Sequence, residues 1–193
     1  MTERLADVSA RIDGIRQLGA VVNAMKGIAA ARASTARAEI KAVDSYATTI
    51  ATAISDALGP ASPASSANTS ESQADGSIGL LVFCAEQGFA GTFSERVLDS
   101  IEDDLSTTSL FLIGTRGQSI AAARGLDPVW SAPMSSHTPG IPKLADQITK
   151  AIYIALGEGR FERMDMIHAA WASGRPQVLR QVLLPVDLSA LPP

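Results

Sequence analysis

The sequence predicts an α/β protein in two parts: a long N-terminal coiled-coil helix, then a layer of helices on a mixed β-sheet. Three observations predict it. Apolar and small residues recur at steps of three and four through residues 1–58, with no proline among them. A stretch rich in serine, alanine and proline follows over 59–77. Beyond it, short apolar runs alternate with segments of helical spacing. The expected organisation is therefore a helix over 1–58, a flexible linker over 59–77 and an α/β domain over 78–193.

In the helical part the seam runs through Leu5, Val8, Ile12, Ile15, Gly19, Val22 and Met25, then Ala29, Ala33, Ala36, Ile40, Val43, Ala47, Ile50 and Ile54. Two successive steps of four, Met25 to Ala29 to Ala33, form a stutter at which a supercoil relaxes. A single helix of this length reaches about 80 Å at 1.5 Å per residue, and Gly59–Pro60 supplies its stop. The narrow seam demands a partner. Leaving about eight large seam side chains in water forfeits on the order of 10 kcal/mol, comparable to the stability of a whole domain. The remaining sequence offers only short helices, near 94–105 and 141–157, so the partner is expected on another chain or on a segment absent from this sequence. The alternative is a break into two or three helices at Gly14, Gly19 or Gly27.

After the linker, "SIGLLVFCA" and "TSLFLIG" read as buried strands. Between them, Phe93, Val97, Leu98, Ile101 and Leu105 have helical spacing. "RGQSIAAARGL" is a second short helix, "DPVW" a third strand and "PKLADQITKAIYIALGEG" a helix closed by glycine. "RMDMIHAAW" and "PQVLRQVLLP" flank "ASGR" as a hairpin.

Composition narrows the function. Of 193 residues, 16 are basic and 20 acidic, a net charge of −4, which gives no case for nucleic acid. No apolar run approaches the roughly 18 residues of a membrane span, and the charged opening "MTERLADVSARIDG" lacks the apolar core of a signal peptide. Cys84 is the single cysteine; it excludes an intrachain disulfide, fits a reducing compartment and reads as a buried structural thiol within "LLVFCA". There is no G-x-x-x-x-G-K-[ST]. "EQGFAGTF" follows a strand and opens a helix, so its amides suit either an anion or, better, a tight turn at Gly88 and Gly91. "GTRG", with Arg116, invites the same phosphate reading and the same discount. His137 and His168 have no Cys or carboxylate cluster to make a metal site, and "EDD" at 102–104 reads as the solvated end of a helix. No catalytic constellation, cofactor site or metal site is expected.

Charge is not spread evenly. Residues 1–58 carry seven basic and six acidic side chains, and between Gly14 and Ala38 the only charges are Arg16, Lys26, Arg32 and Arg37. Like charges gathered on one helix call for neutralising partners; the alternative is a solvated face.

At these residues a resemblance becomes specific. "RIDGIRQLGAVVNAMKGIAAARASTARA" is similar to the N-terminal helix of the gamma subunit of F-type ATP synthases. Arg11, Ile12 and Ile15 match that family's R-I-x-x-[IV] opening. Ala24, Met25, Lys26, Ile28, Ala29, Ala30 and Arg32 match its alanine–methionine–lysine segment leading to V-A-A-x-[KR]. "AEQGFAGTFS" resembles its glycine turn through Gly88, Gly91 and Phe93, while Ala85, Glu86, Gln87, Phe89, Ala90, Thr92 and Ser94 depart from it. "LIGTRG" and "QVLLP" are weaker matches, in the right order.

The resemblance implies a non-catalytic rotor subunit without a cofactor. Its helix would be half of an antiparallel shaft inside the ring of alpha and beta subunits. Its Rossmann-like foot would meet the epsilon subunit and the membrane c-ring, coupling ATP synthesis or hydrolysis to proton or sodium transport. It would sit peripherally at the cytoplasmic face of a bacterial inner membrane, without inserting into it. Ring contacts would fall to Arg16, Met25, Lys26, Arg32 and Arg37. The seam to the second shaft helix would be Val22, Ala29, Ala33, Ala36 and Ile40, and Gly88 and Gly91 would form a structural turn. Members of the family continue beyond "LLP" into that second helix, whereas this sequence stops at "VDLSALPP"; a fragment is expected. A truncated paralogue acting as an assembly or regulatory adaptor, and a free-standing α/β small-molecule-binding domain, are the competing readings.

Overall fold

A computed structural model describes residues 2–58, 77–172 and 175–187. The linker expected over 59–77 lies outside the described residues except for Ser77, as do Ser173 and Gly174 of the hairpin turn. The helix and the α/β domain are separate compact units.

Helix α1 spans Thr2–Leu58, 57 residues without interruption. Gly14, Gly19 and Gly27 lie inside it, so the alternative of two or three folded-back helices is not what the chain adopts. Neither a proline nor a turn cluster is present to break the ladder, and the alanine-rich middle has high intrinsic helix propensity. The threonines, poor helix formers, return a hydroxyl bond to the preceding turn: Thr35 to the carbonyl of Ala31, Thr48 to Asp44, Thr49 to Ser45 and Thr52 to Thr48.

The second unit is built on a five-stranded sheet: β1 (Ile78–Phe83), β2 (Thr108–Ile113), β3 (Trp130–Ala132), β4 (Arg163–Ala172) and β5 (Arg175–Leu184). Their spatial order is β3-β2-β1-β4-β5; the first four are parallel and β5 runs antiparallel to β4. Helices α2 (Phe93–Asp99), α3 (Thr115–Ala123) and α4 (Ile141–Gly157) make the crossovers. From β1 to β3 the chain steps in one direction; from β3 to β4 it reverses past β1. Right-handed crossovers therefore put α2 and α3 on one face and α4 on the other. The two cores follow. Leu80, Val82, Leu110 and Leu112 pack with Val97 and Leu98 of α2 and Ala121 of α3. Leu81, Phe111 and Ile113 pack with Leu144, Ile148, Ile152 and Ala155 of α4. Phe111 anchors the second core edge-on to Phe161, with ring centroids 5.9 Å apart. Covered on both faces, β1 and the buried half of β2, Leu110–Ile113, are apolar throughout, while Thr108 and Ser109 stand at the less buried start of β2.

Two expectations change at the element ends. The helical spacing through Leu105 does not give one helix: α2 stops at Asp99 and a separate 3-10 turn forms over Glu102–Asp104. Ser100 donates its hydroxyl to the carbonyl of Val97 at 2.6 Å, closing the helix. Three acids in a last helical turn would oppose the macrodipole, whereas at the start of a new turn they do not. The third strand begins at Trp130, the last residue of "DPVW", and runs on to Ala132, because Pro128 has no N–H for the ladder.

Asp104 is more than a solvated helix end. It pairs with Arg180 of β5, and Arg180 also donates Nε to Asp165 at 2.7 Å. Asp165 is fully buried at a register shift in β4 and accepts two further bonds from Arg163, at 2.8 and 3.3 Å. One buried carboxylate is thus neutralised by two partly exposed guanidiniums. Removing both partners strands its charge, which typically costs about 3–5 kcal/mol.

At the other end of the sheet Glu86 ties three loops together. Its carboxylate accepts from the hydroxyl of Thr115 at 2.7 Å, the amide of Thr115 at 3.0 Å and the amide of Met134 at 2.8 Å. The Thr115 hydroxyl bond is the main reason its pKa lies below the ordinary carboxylate value.

Two predictions follow from these clusters. The double variant Arg163→Ala/Arg180→Ala should lower the unfolding free energy of the α/β domain by about 3–5 kcal/mol. Lys150→Ala, which breaks only the exposed pair with Asp146, should cost less than about 1 kcal/mol; urea midpoints compare the two. For Glu86, the lowered folded pKa means that its contribution is fully present above the unfolded value and is lost as pH falls through the folded one. Glu86→Gln should therefore be less stable than wild type at pH 7, and the gap should close as pH falls below the ordinary carboxylate range and through the lowered folded pKa, as followed by thermal melts across a pH series.

Candidate functional site

The candidate coupling surface is the outside of α1. The regular helix, at 100° per residue, brings Val22, Ala29, Ala33, Ala36 and Ile40 within about 60° of one another, so all five share one face. Val22 and Ile40 are more than half exposed, 55% and 56%. Between Ile28 and Ile40 no large apolar residue occurs: the helix narrows to alanine, serine and threonine, with Arg32, Arg37 and Glu39.

The same geometry disperses the cations. Arg16 to Arg37 cover about 32 Å of axis. Lys26 and Arg37 lie about 20° apart on one flank of the seam, Arg32 is about 120° from Lys26 on the other flank, and Arg16 is about 80° from Lys26. Arg16 pairs with Asp13 at 3.3 Å, an exposed contact one turn away. The stretch is a set of positive points flanking the seam at successive levels, not a single patch.

A second apolar stripe was missed in the reading of a single seam. Leu18, Val21, Met25 and Ile28 follow steps of three, four and three, and all are exposed. They are centred roughly 80° around the helix from Val22. Met25 stands where the two stripes meet. The signal was present in the spacing, but the longer seam absorbed Met25 and left the other three unassigned.

In the α/β domain, Gly88–Ala90 forms a 3-10 turn that closes at Gly91, whose φ of 57° favours glycine. Phe89 at its tip is 85% exposed. The turn follows β1, beside the point where the chain reverses direction in the sheet. In open α/β sheets that crevice commonly holds a ligand. Here β4 does not end at that level; it runs on from His168 to Ala172, paired only with β5.

The anion position at the N-terminus of α3 is occupied from within by the Glu86 carboxylate. The glycines of "GTRG" serve packing. Gly114 has a φ of 105°, and a Cβ there would lie 2.5 Å from the carbonyl oxygen of Cys84; one on Gly117 would collide with the Cys84 side chain. Arg116 reaches Glu95 at 3.5 Å. Cys84 is 2% exposed, and burial pushes its thiol up to about 11, which removes it from thiolate chemistry at neutral pH. His137 lies in the loop before the 3-10 turn Thr138–Gly140 and His168 in β4, far apart in sequence and in separate elements. Among the described residues, no three His, Cys, Asp or Glu side chains converge as metal ligands do, and no helix is long and apolar enough to cross a membrane.

The family described as ATP synthase matches residues 4–190. An ATP synthase gamma chain of Ruminiclostridium cellulolyticum is 22% identical over 200 aligned residues, covering 99% of this chain and 67% of its own length. One from a Nocardioides species is 24% identical over 199, covering 97% of this chain and 65% of its own. The chain therefore spans about two thirds of the length of these relatives. Among solved structures, a chain of the Tetrahymena thermophila mitochondrial ATP synthase central stalk and c-ring is similar at a TM-score of 0.46 and 18% identity, over 56% of this chain and 50% of that one. Matched from residue 4 to residue 190, and aligned with both gamma chains along nearly its whole length, the chain belongs to the ATP synthase gamma-chain family.

Proposed function

We propose that this chain is the non-catalytic central-stalk rotor subunit of a rotary ATP synthase, or part of it. The observation that carries the reading is the uninterrupted α1 with its exposed, small-residue seam, in a chain of this family. The seam, with Val22, Ala29, Ala33, Ala36 and Ile40 on one face, takes a second shaft helix. Small side chains let two helix axes approach closely, toward the short end of the 8–10 Å range, and keep the shaft thin. The flanking Arg16, Lys26, Arg32 and Arg37 then meet the surrounding alpha and beta subunits at successive heights, with Met25 and its stripe supplying the apolar contact.

Exposed ion pairs worth about 0.2–1 kcal/mol each bias a shaft's angle without locking it. The α/β domain serves as the foot, toward epsilon and the membrane c-ring, with Gly88 and Gly91 shaping its loop after β1. In this role the chain transmits torque between ATP turnover and proton or sodium flow. It works from the cytoplasmic face of the bacterial inner membrane as a peripheral subunit and has no chemistry of its own.

The reading is tested on three measurements. In the isolated chain, amide exchange along α1 should be fast compared with β1 and β2; strong protection throughout residues 5–55 in a monomer would sink the need for a partner helix. Titration calorimetry should give no micromolar ATP binding to the purified chain. In reconstituted complexes, Arg16, Lys26, Arg32 and Arg37 all changed to Gln should weaken assembly or ATP-driven ion pumping roughly tenfold or more at low salt, with the α/β domain's melting unchanged. The gap from wild type should shrink as salt rises, because screening removes from the wild type what the substitutions removed. Equal assembly and pumping at every ionic strength would reduce the basic residues to a solvated face.

A further inference from the structure

A groove of about 830 Å³ runs along the outside of the α/β domain between edge strand β3 and helix α4. Its apolar lining includes Trp130 of β3 and Ala151 and Ile154 of α4; Ile154 is largely exposed. Its charges are Lys143, Lys150 and Arg160, with Glu158.

These cations stand out against their background. Residues 78–193 hold nine basic and twelve acidic side chains, yet three of the nine and one of the twelve line this groove. Lys143 and Lys150 are the only lysines in that range. Lys150 meets Asp146 at 2.7 Å and Arg160 meets Glu158 at 2.6 Å. Both pairs are exposed contacts of small net worth, open to a competing carboxylate. With Asp146 counted, the groove remains net positive on a net-negative domain.

Its shape matches an extended chain. From Lys143 to Glu158 the groove face of α4 measures about 22 Å, the length of about seven residues of β-strand. Among the described residues, strand β3 bonds to β2 on one side only. The carbonyl of Ala132 accepts from Gly114 of the neighbouring segment at 2.9 Å. Strand alternation therefore turns the backbone N–H and C=O of Ser131 to the open edge. Pro128 and Pro133 bracket the strand and keep that edge short, so backbone pairing alone cannot hold a visitor.

We propose that this groove docks an extended acidic segment of a partner protein, about seven residues long, in which apolar side chains alternate with carboxylates. Alternate side chains of an extended segment point to opposite sides: the apolar ones lie on Trp130, Ala151 and Ile154, the carboxylates turn to the open side of the groove, toward the long side chains of Lys143, Lys150 and Arg160 at its rim, and Ser131 supplies the backbone contact. This site is independent of the rotor reading, which concerns α1.

The test uses the full chain and a fluorescein-labelled peptide, Glu-Leu-Glu-Val-Glu-Leu-Glu, followed by anisotropy and by amide chemical shifts. Saturable binding is expected, with shifts confined to 129–135 and the outer face of α4. Lys143→Glu/Lys150→Glu, at exposed positions, should weaken it at least about tenfold, by loss of two attractions and gain of two repulsions. Ala151→Trp, which fills the groove, should also weaken it, with the melting temperature showing that the domain stays folded. The same peptide with lysine in place of each glutamate should not saturate. The proposal is overturned by equal binding to wild type and the charge-reversed variant, by shifts elsewhere, or by no saturable binding. Concentration-dependent shifts at these residues without peptide would overturn it as well, assigning the groove to a second copy of the chain.

Discussion

Apolar surface cannot be left in water over tens of ångströms without forfeiting the stability of a domain, and α1 places such a surface along its length. Its formation depends on local terms: high-propensity residues and the absence of proline, with threonine hydroxyls satisfied by the preceding turn. Its persistence in a functioning protein depends on contact with something outside the helix. The seam thus divides the causes of structure in this chain. The α/β domain buries its own apolar strands on both faces, whereas the helix is formed by its local sequence and leaves its apolar seam exposed.

In the α/β domain, the position that this sheet topology offers a ligand is filled in part by the chain's own groups. The reversal of direction beside β1 is where related sheet architectures bind cofactors. Here the surrounding groups satisfy one another. Glu86 supplies the negative charge that the N-terminus of α3 attracts, and Gly114 and Gly117 are needed for the approach of α3 to Cys84. A fold built to present loops is instead closed by its own side chains, a reminder that fold and function are separable.

Much of this was legible from local pattern. The long helix followed from the three–four spacing and the absence of breakers; β1, β2 and α4 followed from apolar runs and from Leu144, Ile148 and Ile152 on one stripe. What escaped the sequence was set by contacts distant along the chain. Asp165 reads as a polar interruption in a strand, yet it is the buried centre of a network reaching Arg180, fifteen residues on, and Asp104 in an unrelated turn. The end of α2 at Asp99 came from electrostatics that an apolar repeat does not register. On the candidate surface, the five seam residues could be placed from spacing, but the scatter of the four cations around the axis and the separate stripe of Leu18, Val21 and Ile28 required angular positions as well as intervals.

The narrow segment between Ile28 and Ile40 has a mechanical corollary. The resistance of a rod to twisting falls steeply with its radius, and a slender section between thicker ones takes most of the twist under load. In α1 the apolar faces of this section are made of alanine, serine and threonine, with Arg32, Arg37 and Glu39 between them and bulkier apolar side chains above and below. An applied torque is the same at every level of a shaft, so the twist it produces would be largest across this section, where the fewest side-chain contacts resist it.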